Sequence, residues 1–395
     1  MISKIKQALT IKDIRKKLLF TFFMIIVFRL GTTIPVPGID TSVIKNMVEK
    51  NSLLGLYNMF SGGAFSNFTI FALGIGPYIT ASIIIQLLTA GFESLKELQK
   101  SGEEGKKKIN KYTRMTTLGL AIIQAVGITL GIVRSALKVN NPFFIFTVII
   151  TLVAASMMVM WLGDRITEKG LGNGSSVLIF VGIISRLPID IGAIAHRVSI
   201  GLLKWPAITI FVVVVLFTIT GVTFINESTR KIPVQYAKRV VGRKMYGGES
   251  SHIPMKVNQS GVMPIIFASS ILALPQTIAL LGGSKMQAAV NAFFNLSTDK
   301  GFWTYRIIEI VLIVLFSYFY NTISFNTEDI TKNMKNSGGF IPGIRPGKPT
   351  EEYLGGILSK LTIVGAAFLG LMAMIPALIT HYMQIPMNFG GTSLL

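Results

Sequence analysis

The sequence predicts an all-α protein that crosses a membrane many times. Three observations carry this expectation. Of 395 residues, 51% are hydrophobic and only 14% charged, which is a membrane composition rather than that of a soluble surface. Apolar runs of spanning length recur nine times along the chain, where about 20 residues of helix cover a ~30 Å hydrocarbon core. Lys and Arg gather in alternate connecting segments. The chain has no cysteine, which removes disulfides, zinc thiolates and thiol nucleophiles.

The start, MISKIKQALTIKDIRKK, is a basic amphipathic lead into the first span, 18–35. GTTIPVPG follows as an exit loop and not as a small-residue cleavage site, so no signal peptide is evident. The second span is 68–90. Directly before it lies LLGLYNMFSGGAFSNF, residues 53–68, apolar but interrupted by Gly62 and Gly63 and dotted with Ser61, Ser66 and Asn67. As helix it would reach only ~24 Å and could not span. Within the second span, Pro77 frees a carbonyl and permits a bend, while Ile75 and Ile79, four apart, share a face. The third span is 115–134 and the fourth 143–163. The fifth, from about 174, is weaker because it contains Arg186, Pro188 and Asp190. The sixth is 205–225, the seventh 261–282, the eighth 304–324 and the ninth 359–380; GGTSLL then begins another apolar run.

Orientation follows from charge. With the N-terminus inside, the cytoplasmic segments carry well over half of the 38 Lys and Arg, which sets the N-terminus in the cytoplasm. The same parity requires the fifth run to cross; otherwise the basic loop 226–260 would fall outside. Five spans before residue 200 and the rest after it suggest two halves, 1–200 and 201–395, of opposite orientation. Two cytoplasmic loops, 226–260 and 325–358, are too long for simple connectors. In the first, RKIPVQYAKRVVG pairs as strand with MYGGESSHIPMKV, turning at Gly247–Gly248. The second has a short helical piece and then a rigid Gly/Pro tip around Arg345. Loops of this kind are binding surfaces.

Catalytic chemistry is not evident. Topology separates His252, inside, from His196 and His381, outside, so no metal cluster or Ser–His–Asp set forms. KGLGNGSS (169–176) lacks a preceding strand and the dinucleotide spacing, and reads as a tight turn into the fifth span. GIRPGKPT (343–350) is one residue short of a phosphate loop and places Pro349 where Ser or Thr is needed. No catalytic residue, metal or cofactor is expected, and any ATP must be hydrolysed by a partner. As intramembrane charges that could mark an ion pathway, only Arg29 and Glu309 qualify. Arg29 snorkels from the end of its span, and Glu309 pairs with Arg306 three residues earlier. The lack of carboxylates at mid-depth favours a passive conduit over an ion-coupled carrier. The basic loops have three readings: topogenic charge with lipid headgroup contact, an acidic partner, or ribosomal RNA phosphates. Ile75, Ile79, Ile179 and Ile266 read either as ordinary packing or as a narrow apolar constriction that excludes water and ions.

FRLGTTIPVPGID, the 54–90 stretch, EEGKKKINKYTR, ITEKGLGNGSS, IPVQYAKRVVGRKMYGG, HIPMKVNQSGVMPIIFASS and YNTISFNTEDITKNMKNSGGFIPGIRPGKPTEEYL resemble the SecY family, the central subunit of the bacterial protein-translocation channel. The likeness runs from about residue 5 to 395. It implies ten spans in two pseudo-symmetric five-helix halves around an hourglass pore, nine of them complete here and the tenth only begun. The chain thus reads as a truncated form rather than a natural nine-span protein. The resemblance also implies a short re-entrant plug helix at about 54–67, with Leu56, Tyr57, Met59, Phe60, Gly62, Gly63 and Phe65. A plug must be apolar yet weakly held, and the glycines lower its helix stability. By position the pore ring maps onto Ile75, Ile79, Ser175, Ile179 and Ile266, with Ser175 standing where the family usually has isoleucine. The lateral gate between the second and seventh spans maps onto Thr80, Gln86, Gln124, Asn258, Leu274 and Ile278. Arg243, Lys244 and Arg345 match loop positions that contact the ribosome or the SecA motor. Implied partners are SecE, a SecG-type subunit, SecA, the ribosome through its rRNA, signal sequences, nascent polypeptides and the lipid bilayer, in the bacterial cytoplasmic membrane. The main alternative is a secondary transporter for a small solute. A membrane enzyme is a distant third.

Overall fold

The computed structural model describes residues 10–50, 58, 61–137, 141–201, 205–236, 239–241, 244–246, 250–281, 283–294 and 298–383. The expected start of a tenth span lies outside them, as do Leu56, Tyr57, Met59, Phe60, Arg243 and the Gly247–Gly248 turn.

The chain divides into two compact units. One holds the chain up to Leu203 together with Ser270–Tyr305; the other holds Lys204–Ser269 and Arg306–Gln384. In the first, α1 (Lys12–Gly31) leads to a short α2 (Thr41–Lys50), then α3 (Gly76–Gly91), α4 (Glu93–Lys100), α5 (Glu103–Gly131), α6 (Pro142–Lys169), α7 (Gly174–Ile184) and α8 (Leu187–Ser199). Helix α3 packs on α5, α5 on α6, and α6 on both α7 and α1. Leu19, Phe22, Phe23 and Leu30 of α1 point outward, as expected of a lipid-facing helix.

Six helical segments are long and apolar enough to cross a membrane among the described residues, or seven if α3 and α4 count as one; these two bend by 102° at Phe92. The weak fifth run is among them: α7 and α8, broken only at Ser185–Arg186, form one 26-residue segment, Gly174–Ser199.

The second span departs from expectation. Helix begins at Gly76, not 68, and residues 61–75 run as turns apart from a bridge at Thr69. Pro77 therefore occupies the first turn of α3 and kinks nothing. The first turn is where a missing N–H costs least, and Gly74, at φ +55°, turns the chain into the helix.

The KGLGNGSS segment is a tight helical hairpin. Asn173 caps α7 by accepting from the N–H groups of Ser175 (3.1 Å) and Ser176 (3.3 Å). A Cβ on Gly174 would lie 1.9 Å from the Gly163 carbonyl oxygen, so α6 and α7 meet backbone to backbone. The hydroxyl of Thr21 on α1 accepts from Leu171 N–H (3.0 Å) and anchors the turn.

The second unit carries α9 (Trp205–Glu227), strands β1 (Thr229–Tyr236), β2 (Arg239–Val241), β3 (Lys244–Tyr246) and β4 (Ser250–Lys256), and the start of α10 (Met263–Leu281). Helix α11 (Gly283–Phe294) and the first turns of α12 (Asp299–Ser324) belong to the first unit. The rest of α12, then α13 (Thr327–Asn336), β5 (Gly339–Phe340) and α14 (Lys348–Met383), complete the second. Strand β1 pairs with β4 as expected, but the chain reverses between Val241 and Lys244, which pair, and so earlier than the two glycines. Val240, Val241 and Tyr246 favour strand right up to that reversal. Strand β5 adds to the other edge of β1, through Gln235↔Phe340 and Tyr236↔Gly339, giving the order β4-β1-β5. The two long loops are therefore one structure. Ile232 and Val234 alternate inward from β1 onto Met255, Met334, Ile341, Leu354 and Leu358. Helix α14 starts 11 residues before the expected ninth span, so residues 348–358 are helix, not loop; Pro349 sits in its first turn.

Candidate functional site

Residues 61–75 bring the expected plug to the second span. Asn58, itself buried, organises the root: its carbonyl accepts from Gly63 N–H (2.9 Å) and the Ser61 hydroxyl (3.0 Å), and its side-chain oxygen from Ser66 N–H (2.8 Å). The Ser61 hydroxyl accepts in turn from Phe65 N–H (3.1 Å). Gly62 and Gly63 take φ +65° and +87°, conformations closed to most side chains. The chain then pairs with the first exit loop through Val36 N–H to Phe68 C=O (2.9 Å) and Ile70 N–H to Ile34 C=O (3.0 Å).

The segment that follows the two glycines is firmly packed. Phe65 and Phe68 are fully buried in a core with Val36, Ile44, Ile128, Val133 and Leu152. Phe71 stacks on Phe28 at 5.9 Å and covers Gly31, where any Cβ would strike its ring. Phe68 holds φ 40°, a strained conformation for an aromatic residue, overridden by this packing. The glycines loosen two positions; the three phenylalanines after them fix the base.

The expected ring residues sit at helix beginnings. Ile75 is the N-cap residue of α3, and its carbonyl accepts from Ile79 N–H (3.1 Å). They are 3% and 8% exposed, and Ile179 on α7 is 7% exposed. Ser175, one turn before Ile179, donates its hydroxyl to the capping Asn173 (2.5 Å). That bond occupies its proton locally. Ile266 is half-buried near the start of α10, in the other unit.

Three of the expected gate residues, Thr80, Gln86 and Asn258, are hydrogen-bonded close by. Thr80 donates to Gly76 C=O (3.2 Å), and Gln86 to the Ser82 hydroxyl (3.1 Å). Gln124 is buried on α5, the helix that α3 packs against. The Asn258 amide donates to Asn226 at the end of α9 (2.8 Å). Asn226 was not expected; two asparagines bracketing the 226–260 loop were its only signal. Leu274 is half-buried, next to Pro275 inside α10, while the side chain of Ile278 lies outside the described residues.

Arg345 is exposed at a tip built to hold it. The Thr350 hydroxyl, buried, donates to the Arg345 carbonyl (2.8 Å), and Thr350 N–H donates to Gly347 C=O (2.9 Å). Nearby on α13, Lys332 donates to Glu328 (2.5 Å). This hydrogen bond and the carboxylate charge push the lysine above its usual pKa. Lys244 lies in β3, its side chain outside the described residues. Among the described residues no three His, Asp or Glu are grouped to hold a metal.

The SecY family model matches residues 69–395. The protein translocase subunit SecY of Synechocystis sp. is 43% identical over 390 residues, covering 97% of this chain and 88% of the relative. Two solved structures share the fold. One is of a SecY protein whose plug domain stabilises the closed state of the translocation channel and maintains a membrane seal; it matches with TM-score 0.69 at 20% identity, over 97% of this chain and 88% of that one. The other is the channel of a canine ribosome–channel complex from the endoplasmic reticulum, with TM-score 0.65 at 17% identity, over 97% and 89%.

Proposed function

Because this chain belongs to the SecY family, we propose that it is the channel-forming subunit of a bacterial protein translocase. It is a multi-pass membrane protein and not an enzyme. It conducts secretory polypeptides across the cytoplasmic membrane and releases nascent membrane helices sideways into lipid. The observation that carries the reading is family identity along 97% of the chain. The covered isoleucines beside an anchored, glycine-tipped segment support it.

In this reading the two halves, 1–200 and 201–395, enclose the pore, and Ile75, Ile79, Ser175, Ile179 and Ile266 form its waist. Apolar side chains at a constriction exclude water and ions because a hydrated ion cannot shed its shell there. Residues 54–67 cap the waist from outside. A signal sequence enters between α3 and α10, past Thr80, Gln86, Gln124, Asn258, Leu274 and Ile278. Its apolar helix gains lipid contact in the parted state only, which shifts the population toward opening. Work comes from SecA or a translating ribosome, docked on Arg243, Lys244 and Arg345. SecE and a SecG-type subunit complete the complex. The bias of Lys and Arg supports a cytoplasmic N-terminus.

The test exploits the absence of cysteine. A cysteine at Ile75 or Ile79 is expected to crosslink to a stalled secretory polypeptide, while one at the outward-facing Phe22 is not. Absence of crosslinks from positions 75, 79, 179 and 266 overturns the reading.

A further inference from the structure

The face of α7 that carries Ser175 and Ile179 continues through Gly182 to Arg186. Spacings of four, three and four residues keep all four positions on one helical stripe. At Gly182 this stripe meets the plug root. A Cβ on Gly62 would lie 2.9 Å from Gly182 Cα and 3.2 Å from its carbonyl oxygen, closer than a methyl can approach backbone. Gly182 is buried. One residue on, Gly63 faces Arg186, whose Cγ lies 4.0 Å from where a Cβ would be. Arg186 sits at the break between α7 and α8, with its N–H donating to Ile183 C=O (3.1 Å) and its Nη1 out of solvent.

From this contact we infer that Gly182 and Arg186 are the seat of the plug, positioning residues that couple its release to movement of α7. The inference rests on the sealing role proposed above. Gly62 touches the backbone of the helix that presents two ring residues. Any shift of α7 that carries Ser175 and Ile179 outward therefore withdraws Gly182 from Gly62 and the arginine stem from Gly63. Widening of the waist and unseating of the plug are then one movement of one helix. The contact of Gly62 with Gly182 is bare backbone and transmits it without slack, because no side chain lies between them to flex into the gap.

Two neighbouring glycines supply the control. Both have positive φ, so alanine strains the turn at either position, but only at Gly62 does it also strike α7. In the full-length chain within its channel complex, Gly62→Ala is expected to raise resting ion conductance in planar bilayers about tenfold or more. Gly63→Ala is expected to raise it less than about threefold. Equal effects overturn the seat, since turn strain alone then accounts for the leak. Deletion of residues 57–66 runs alongside. A leaky deletion with equal glycine variants overturns the seat but not the seal, whereas a tight deletion overturns the sealing role and the seat with it. Should Gly62→Ala not assemble, Arg186→Ala removes the stem beside Gly63 and leaves the turn intact. It is expected to raise conductance about threefold, through lost packing, and no rise overturns the proposal.

Discussion

Arg306 and Glu309, one turn apart on α12, form an ion pair at 6% and 4% exposure. Spacing on the helix makes the pairing readable from sequence; burial on both sides is not, because it depends on neighbours distant in the chain. A buried charge that loses its partner is costly, whereas removing both is often neutral. Arg306→Met is therefore expected to lose roughly 3–5 kcal/mol of stability. The double variant Arg306→Met/Glu309→Leu should return to within about 1 kcal/mol of the parent and transport normally. Thermal unfolding in detergent and a translocation assay measure the two; loss of transport with restored stability would give the pair a part in conduction. Thr350 and Asn226 show the opposite limit of legibility. Each is a single polar residue near a helix end, and only the fold reveals that one holds the Arg345 carbonyl and the other the Asn258 amide.

At the level of elements, long apolar runs are legible and their ends are not. Hydropathy continues unbroken from residue 68 into α3, so nothing in apolarity separates the turns of 68–75 from the helix. Gly74 and Pro77 were the available signal, and Pro77 admits both a helix start and a kink. Strand β1 was likewise legible from its alternation, but its second partner was not: β5 is two residues long and lies more than a hundred positions away. That pairing makes a single core under both loops, and Val234 is almost fully buried in it. Val234→Asp is expected to cost about 3 kcal/mol or more locally, by burying an unpaired carboxylate. Limited proteolysis should then cut within 325–347 as well as 237–249, while α9 and α14 stay protected. Cutting confined to 237–249 would mean that the loops fold separately.

For the whole molecule, a formal net charge of +20, concentrated on the predicted cytoplasmic side, makes docking of a polyanionic partner electrostatic. With about four phosphate contacts, raising monovalent salt from about 50 to 200 mM should weaken the proposed ribosome binding on the order of 100-fold. Arg345→Glu should weaken it at low salt and flatten the slope; an affinity indifferent to salt would exclude this mode of docking. Class is legible at this scale because it follows from sums over many residues. The seating of one glycine on another is legible only in space. The shared sheet also has a consequence for biosynthesis. Strand β1 is made about a hundred residues before β5, an interval on the order of 5–20 s at ordinary elongation rates. Throughout that delay the newborn strand exposes an open edge, with the charges of Arg230 and Lys231 deterring illicit pairing. The surface proposed to receive a motor is thus completed only after most of the conduit has left the synthetic machinery, so on that proposal a half-made channel cannot recruit its own driver.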